Sequence, residues 1–482
     1  MYKVMLIYPP GKLYQRGEAR SQGNIEDSSA TAMRACNDLG YGAAVLLKKG
    51  YDVFLRDYQT EKANMSDLLS DVRTYQPNFL LVSVTNATVF NDIEIVKHIY
   101  KKHKCIVALA GAIFYSPEQS MLELLDLSQV DFLIGGEIDF IIDKVVDIVS
   151  KQNGLIESID NILYKNQNGK FTATKFHVWE EDLDAQPFPA RHLMNNQLYI
   201  RPDTGKPMAT IQTSRGCPAN CIYCLSPEIS GRTVRFRSPQ NVYDEINECF
   251  YKYQIHDFFF KADTFTINPL WIKELCELII QSPLHKRINF TANSRVRPLD
   301  EDTLVIMKKA GCFAVAFGFE SGNDLTLKRI NKGTTVSDNI QAMQWSKKAG
   351  LQTYGFYMIG FPWETKSDIQ DTINHIFRLN ADFIEIHIAL PYYGTPLYSL
   401  CKDEGTLAKS TLGSDYFHSS TIGSKYVSIE ELNLIRKKTL LKYYLRPIYL
   451  IKKFRYALLR PVILKNYIKY GLKLVLNAIS TL

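Results

Sequence analysis

Short apolar runs, each too brief for a helix, recur from Lys3 to Ala389, and stretches of helical period lie between them. Strands that are apolar on both faces must be covered on both, and laying helices over a parallel sheet does this. Two such series are present. In the first, Lys3–Tyr8, Asp52–Leu55, Phe79–Val84, Ile106–Ala110 and Phe132–Ile134 read as strands. Residues 30–49, 65–75, 92–102, 116–125 and the stretch after Glu137 up to Ser150 read as helices. This pattern predicts a doubly wound α/β domain over residues 1–150. Ligands of such sheets sit beyond the carboxyl ends of the strands, where this chain has Ser83, Thr85, Asn86, Gly111, Ala112, Gly135 and Gly136. Small residues there let a bulky ligand approach the backbone. The same glycines serve equally well as turns.

Residues 151–204 read as a linker, with a hairpin around Asn168-Gly169 and an extended crossing at Pro187 and Pro189. The second series follows, over residues 205–400. Strands are predicted at Met208–Ser214, Asp257–Ala262, Ile288–Asn293, Phe313–Phe319, Thr353–Ile359 and Asp382–Ala389, with helices at 239–253, 268–282, 300–310, 335–349 and 366–379. Six strand–helix units predict a partial, open (β/α)6 TIM-like barrel, whose chemistry belongs at the carboxyl ends of its strands. Directly after its first strand comes SRGCPANCIYC, with Cys217, Cys221 and Cys224. Three thiolates can hold three irons of a [4Fe-4S] cubane and leave the fourth for another ligand. Zinc would need a fourth ligand, and neither His192 nor Cys249 has the spacing. Disulfide pairing would leave one thiol over.

The 482 residues carry a formal net charge of +7. Twelve Lys and Arg, with no Asp or Glu, fall between Leu432 and the C-terminus, so the remainder is net acidic. Basic character therefore belongs to residues 401–482, a helical segment, and no nucleic-acid module accompanies it. That segment suits either an anionic membrane surface or packing on the barrel with its charges in water. Nine cysteines, three of them clustered, do not form a secreted disulfide framework. The opening MYKVMLIYPP reads as a strand and not a leader, so a cytoplasmic protein is expected, with contact at the inner face of the membrane as an option.

Cys217-Pro-Ala-Asn-Cys221-Ile-Tyr-Cys224 resembles the CxxxCxxC signature of radical S-adenosylmethionine (SAM) enzymes, including the aromatic Tyr223 before the last cysteine. The later strand ends agree with it. Asp263 in FFKADTF, Arg295, Glu320 and Ser321 in GFESG, and Gly360 and Pro362 in IGFPWET fall where the resemblance implies SAM-binding residues. Plainer roles also suit them: an ion pair for Arg295, a helix cap for Glu320, a turn for Asp263, core filling for Tyr223. A Rossmann-like domain, a linker and then such a barrel resemble the cobalamin-binding radical SAM family. LIYPP, Gly111-Ala112 and Gly135-Gly136-Glu137 fit its N-terminal half. No D-x-H-x-x-G is present, the comparable stretch being Arg56-Asp57-Tyr58-Gln59, so no histidine is offered to cobalt. The long polar segment Gly11–Asn37, with Arg16, Arg20, Arg34 and Cys36, is either a cover for the barrel mouth or a surface loop.

The resemblance implies a [4Fe-4S] cluster, SAM, cobalamin, an electron donor such as flavodoxin or ferredoxin, and a small-molecule or lipid substrate. It implies SAM cleavage to a 5′-deoxyadenosyl radical and methylation of an unactivated carbon. Cyclisation or rearrangement on the same scaffold is the first alternative, and a cofactor-binding sensor the second. No catalytic side chain is assigned.

Overall fold

The N-terminal sheet has seven strands in the order 2-1-3-4-5-6-7. The computed structural model describes residues 1–16, 33–115, 117–407, 410–414 and 425–479, with side chains through 473. The first five strands of this sheet (Lys3–Tyr8, Asp52–Asp57, Phe79–Ser83, Ile106–Ala110, Phe132–Ile134) are parallel. Their order reverses between the first and third strands, which opens a crevice at the carboxyl edge. The hairpin Ile162–Lys165/Phe171–Ala173 pairs antiparallel onto the fifth strand, so it extends this sheet. Apolar side chains of both faces are buried under helices, among them Leu6, Phe79 and Ile134 on one side and Leu80, Val82 and Leu109 on the other.

The barrel sheet holds six parallel strands in sequential order: Met208–Gln212, Asp257–Lys261, Asn289–Ser294, Cys312–Glu320, Gln352–Ile359 and Phe383–Ile388. Its helices start where local chemistry says they should. Ser238 and Asn268 accept from the third helical N–H ahead of a proline at the first position, and Thr335 and Thr365 form capping boxes with Asp338 and Asp368. A buried network of Arg191, Glu245 and Arg237, at 2.7 and 2.5 Å, ties the linker to the first barrel helix.

Two predicted helices are shorter than their patterns suggest. The stretch predicted over 30–49 is helical over Asn37–Lys48, and residues 33–36 run non-helically, with Met33, Ala35 and Cys36 buried in the core of the N-terminal sheet. The stretch predicted over 116–125 is a single turn, Gln119–Leu122, after which i→i+3 bonds tighten the chain and turn Leu125 and Leu127 into the core. After the barrel, helices Ile429–Tyr444, Pro447–Ala457 and Pro461–Ile479 are separated at the two prolines. Leu432, Arg436, Leu440 and Tyr443 of the first are buried, and Arg436 Nε donates to the Ile386 carbonyl of the last barrel strand. Among the described residues no helix is long and apolar enough to cross a membrane.

Candidate active site

The carboxyl edges of the two sheets face one another across a cleft. Its N-terminal wall includes Ser83, Thr85, Gly111, Ala112 and Gly136; its barrel wall includes Gln212, Lys261, Asp263 and Asn293. Close packing explains one of the small residues: a Cβ on Gly111 would lie 2.3 Å from the Val84 carbonyl oxygen. Two of the sequence candidates stand elsewhere. Gly135 is pressed against the Phe114 carbonyl, and the Asn86 amide donates to the Thr411 and Ser414 carbonyls at 2.7 and 3.0 Å, holding the segment after the barrel. Asp38, in the first turn of its helix, accepts from Tyr8 and Ser83 and lies on the cleft with Lys261 opposite.

Cys217 and Cys221 are buried and Cys224 is partly exposed on the loop after the first barrel strand. Gly216 makes that loop possible. Its φ of +100° lies in the left-handed region, its N–H donates to Asp263 at 2.9 Å, and a Cβ would lie 2.1 Å from the Thr233 carbonyl oxygen. Arg295 donates to the Cys221 sulfur at 3.3 Å and to the Lys332 carbonyl, while the Ser226 N–H donates to the Cys224 sulfur. Hydrogen bonds to cluster sulfurs are among the features that set an iron–sulfur site's potential. Among the described residues no three Cys, His, Asp or Glu side chains close on a single metal ion. A cubane asks for something different, one thiolate on each of three irons.

Behind the cysteines lies a buried polar cluster. Lys332 donates to Glu320 at 2.7 Å and to the Tyr223 hydroxyl at 3.4 Å. Glu320 follows an irregularity in strand pairing and has φ +60°, a conformation costly for a non-glycine residue, with its carboxylate held inward. Burial raises its pKa, but the Lys332 ammonium and the bonds from Lys332 and Tyr223 outweigh that and hold it below the usual carboxylate range. Burial, then the charges of Glu320 and the two cysteines, push the Tyr223 phenol well up. His387, on the last strand, is driven down to about 4 by burial, Glu320 opposing. Ser321 turns away from this cluster, its hydroxyl on Thr372 at 2.9 Å. Gly360 and Pro362 form a turn over buried Glu364, which accepts from the Gly360 and Phe361 N–H groups at 2.7 and 3.0 Å.

Ion pairs of Arg215 and Arg235 with Asp139 and Glu137 lock the walls of the cleft together. Arg215 of SRGC bonds Asp139 bidentately at 3.1 and 2.8 Å, and Arg235 bonds Glu137 of GGE at 2.6 and 3.0 Å. Lys332, Lys261 and this clasp are absent from the sequence reading. Lys261 and Glu137 stand within quoted strand-end motifs, whereas nothing local marks Lys332. Of the polar N-terminal segment, Arg16 turns inward onto Asp92 at 2.6 Å, Arg34 stacks over the Phe259 ring at 3.8 Å, and Arg20 lies outside the described residues.

The Radical SAM superfamily matches residues 211–376, which span the cysteine loop and the first five barrel strands. The match lies in the barrel and not in the N-terminal sheet. Over 85% of its length, and 88% of the relative's, it is 29% identical to an uncharacterized methyltransferase of Pyrococcus horikoshii. An anaerobic magnesium-protoporphyrin IX monomethyl ester cyclase of Rubrivivax gelatinosus is 25% identical, with 83% and 70% of the two chains covered. Among solved structures, the radical SAM methyltransferase TsrM of Kitasatospora setae, determined with cobalamin and a [4Fe-4S] cluster bound, superposes with a TM-score of 0.67 at 16% identity, covering 85% of this chain and 80% of that one. The chain therefore shares the fold of that structure, a Rossmann-like domain followed by a partial barrel.

Proposed function

We propose that the chain is a cobalamin-dependent radical SAM methyltransferase acting on an unactivated carbon of a small molecule. The observation that carries this reading is the cleft bounded by the carboxyl edges of both sheets, which Arg215, two residues before Cys217, lines on the barrel side. Cys217, Cys221 and Cys224 would hold the cluster. Arg295, Glu320, Asp263, Tyr223 and the Gly360–Pro362 turn would bind and orient SAM, and Ser83, Thr85, Gly111, Ala112 and Gly136 would seat cobalamin. When bound, these groups supply a 5′-deoxyadenosyl radical and a transferable methyl group. The protein's own part is to bind and orient them. Glu320 and Arg295 offer charges for SAM's hydroxyls and carboxylate, and the Arg215–Asp139 and Arg235–Glu137 pairs hold the two walls in register. An electron donor such as flavodoxin or ferredoxin would serve the cluster.

The test is anaerobic reconstitution with iron, sulfide, cobalamin, SAM and a reductant. Both 5′-deoxyadenosine and S-adenosylhomocysteine are expected. Deoxyadenosine without homocysteine would refute methylation and favour cyclisation, the reaction in the Rubrivivax relative's name. Cys217→Ala is expected to abolish SAM cleavage while cobalamin, read from the visible spectrum, stays bound. Its loss would refute two separate sites.

A further inference from the structure

Helix Pro447–Ala457 is oriented opposite to the usual rule for a water-facing helix. Its buried face carries a lysine: Lys453 is 7% exposed, 3.5 Å from Asp382 and over the Phe383 ring at 3.9 Å. Burial holds that ammonium down to about 8. Tyr449 and Lys452 anchor the same side to Asp382, at 3.0 and 3.1 Å. The opposite face leaves Ile448 79%, Ile451 58%, Phe454 53% and Leu458 56% exposed. These fall at helical spacing on one side, where a helix in water would bury them.

The next helix continues the surface. Ile463 is buried, and Asn466 donates to the Asp203 carbonyl at 2.9 Å, which fixes its inner side. Val462, Ile468 and Leu472 face outward with Lys465 and Lys469 between them. From Arg446 to Lys473 there are eight Lys and Arg and no acid.

We propose that these two helices seat the chain on an anionic membrane surface. Exposed aliphatic and aromatic side chains enter the acyl boundary, and the flanking lysines and arginines meet lipid phosphates. A second copy is a poorer occupant, since pairing the face with itself brings uncompensated cations together. Nucleic acid would use the charges and leave the apolar side chains in water. The surface lies on the helices beyond the barrel and is independent of the chemistry proposed above.

The full-length chain is mixed with phosphatidylcholine vesicles, or with vesicles in which a third of the lipid is phosphatidylglycerol, and bound protein is recovered by flotation. Partition onto the anionic vesicles is expected to exceed that onto neutral ones at least ~10-fold, since each cation near the surface contributes several-fold, and to weaken with salt. Ile451→Ser/Phe454→Ser should lower it ~10-fold or more, with the melting temperature unchanged because both side chains are exposed. Equal partition onto both vesicles, or an unaffected variant, overturns the proposal. So does a dimer in solution that the double variant converts to monomer, which assigns the face to a second copy.

Discussion

Glu364→Gln removes a buried charge and keeps its hydrogen bonds. In the folded protein one Glu364 oxygen accepts both the Gly360 and Phe361 N–H groups, and the other accepts from Thr326 Oγ1 at 3.4 Å. Burial, opposed by those bonds, raises the pKa from 4.5 to about 7. A carboxyl that keeps its proton to higher pH when folded stabilises the fold most at low pH. That contribution is present below about 4.5 and is lost as pH rises to about 7. The rise corresponds to about 3 kcal/mol. Glutamine presents a carbonyl oxygen to the same two N–H groups and an amide to Thr326, with no proton to lose. The variant should match wild type near pH 5 and exceed its stability by up to about 3 kcal/mol near pH 8. Urea unfolding followed by tryptophan fluorescence suits the measurement, because Trp363 stacks on Phe361 at 5.2 Å within the same turn. A stability difference that stays constant from pH 5 to 8, or a variant weaker than wild type at pH 8, would refute the reasoning. Glu364→Ala serves as the contrast. It leaves two buried N–H groups without this acceptor and should cost about 1–3 kcal/mol for each at any pH.

Lys332→Met leaves the Glu320 carboxylate buried without its cation and should cost about 3–5 kcal/mol in urea unfolding. Adding Glu320→Gln should recover most of the loss, and an additive double variant would argue against the pair. Gly216→Ala cannot fit a Cβ against Thr233, so reconstituted iron per chain should fall well below the three-cysteine wild type while far-ultraviolet circular dichroism is retained. Full iron content in that variant would show that the cysteine loop tolerates another conformation.

Strand and helix positions were largely readable because their signals are local. The apolar runs at Lys3–Tyr8 and Ile106–Ala110, the prolines opening helices at 239 and 269, and the serine and threonine caps act within a few residues of themselves. The cysteine spacing is local too, and with it the resemblance to radical SAM enzymes. The helix start at 37 was not readable, since Met33, Ala35 and Cys36 before it are drawn into the N-terminal core, and the early end at 122 was not, since Leu125 and Leu127 turn into the core after it.

Sequence by itself therefore determined two α/β units, their order and the cysteine loop, because periodicity, capping and ligand spacing are properties of neighbouring residues. Only the tertiary structure decided which distant charges meet. Arg235 and Glu137, 98 residues apart, and Arg215 and Asp139, 76 apart, close the cleft, and no local pattern pairs them. It also decided that Asn86 holds the segment after the barrel instead of lining the cleft, and that Lys453 points inward while Ile451 and Phe454 point out. A helical sequence with lysines and apolar residues on every side leaves its rotation open. The Asp382 carboxylate and the Phe383 ring against which it packs set that rotation, and with it the surface left for a partner.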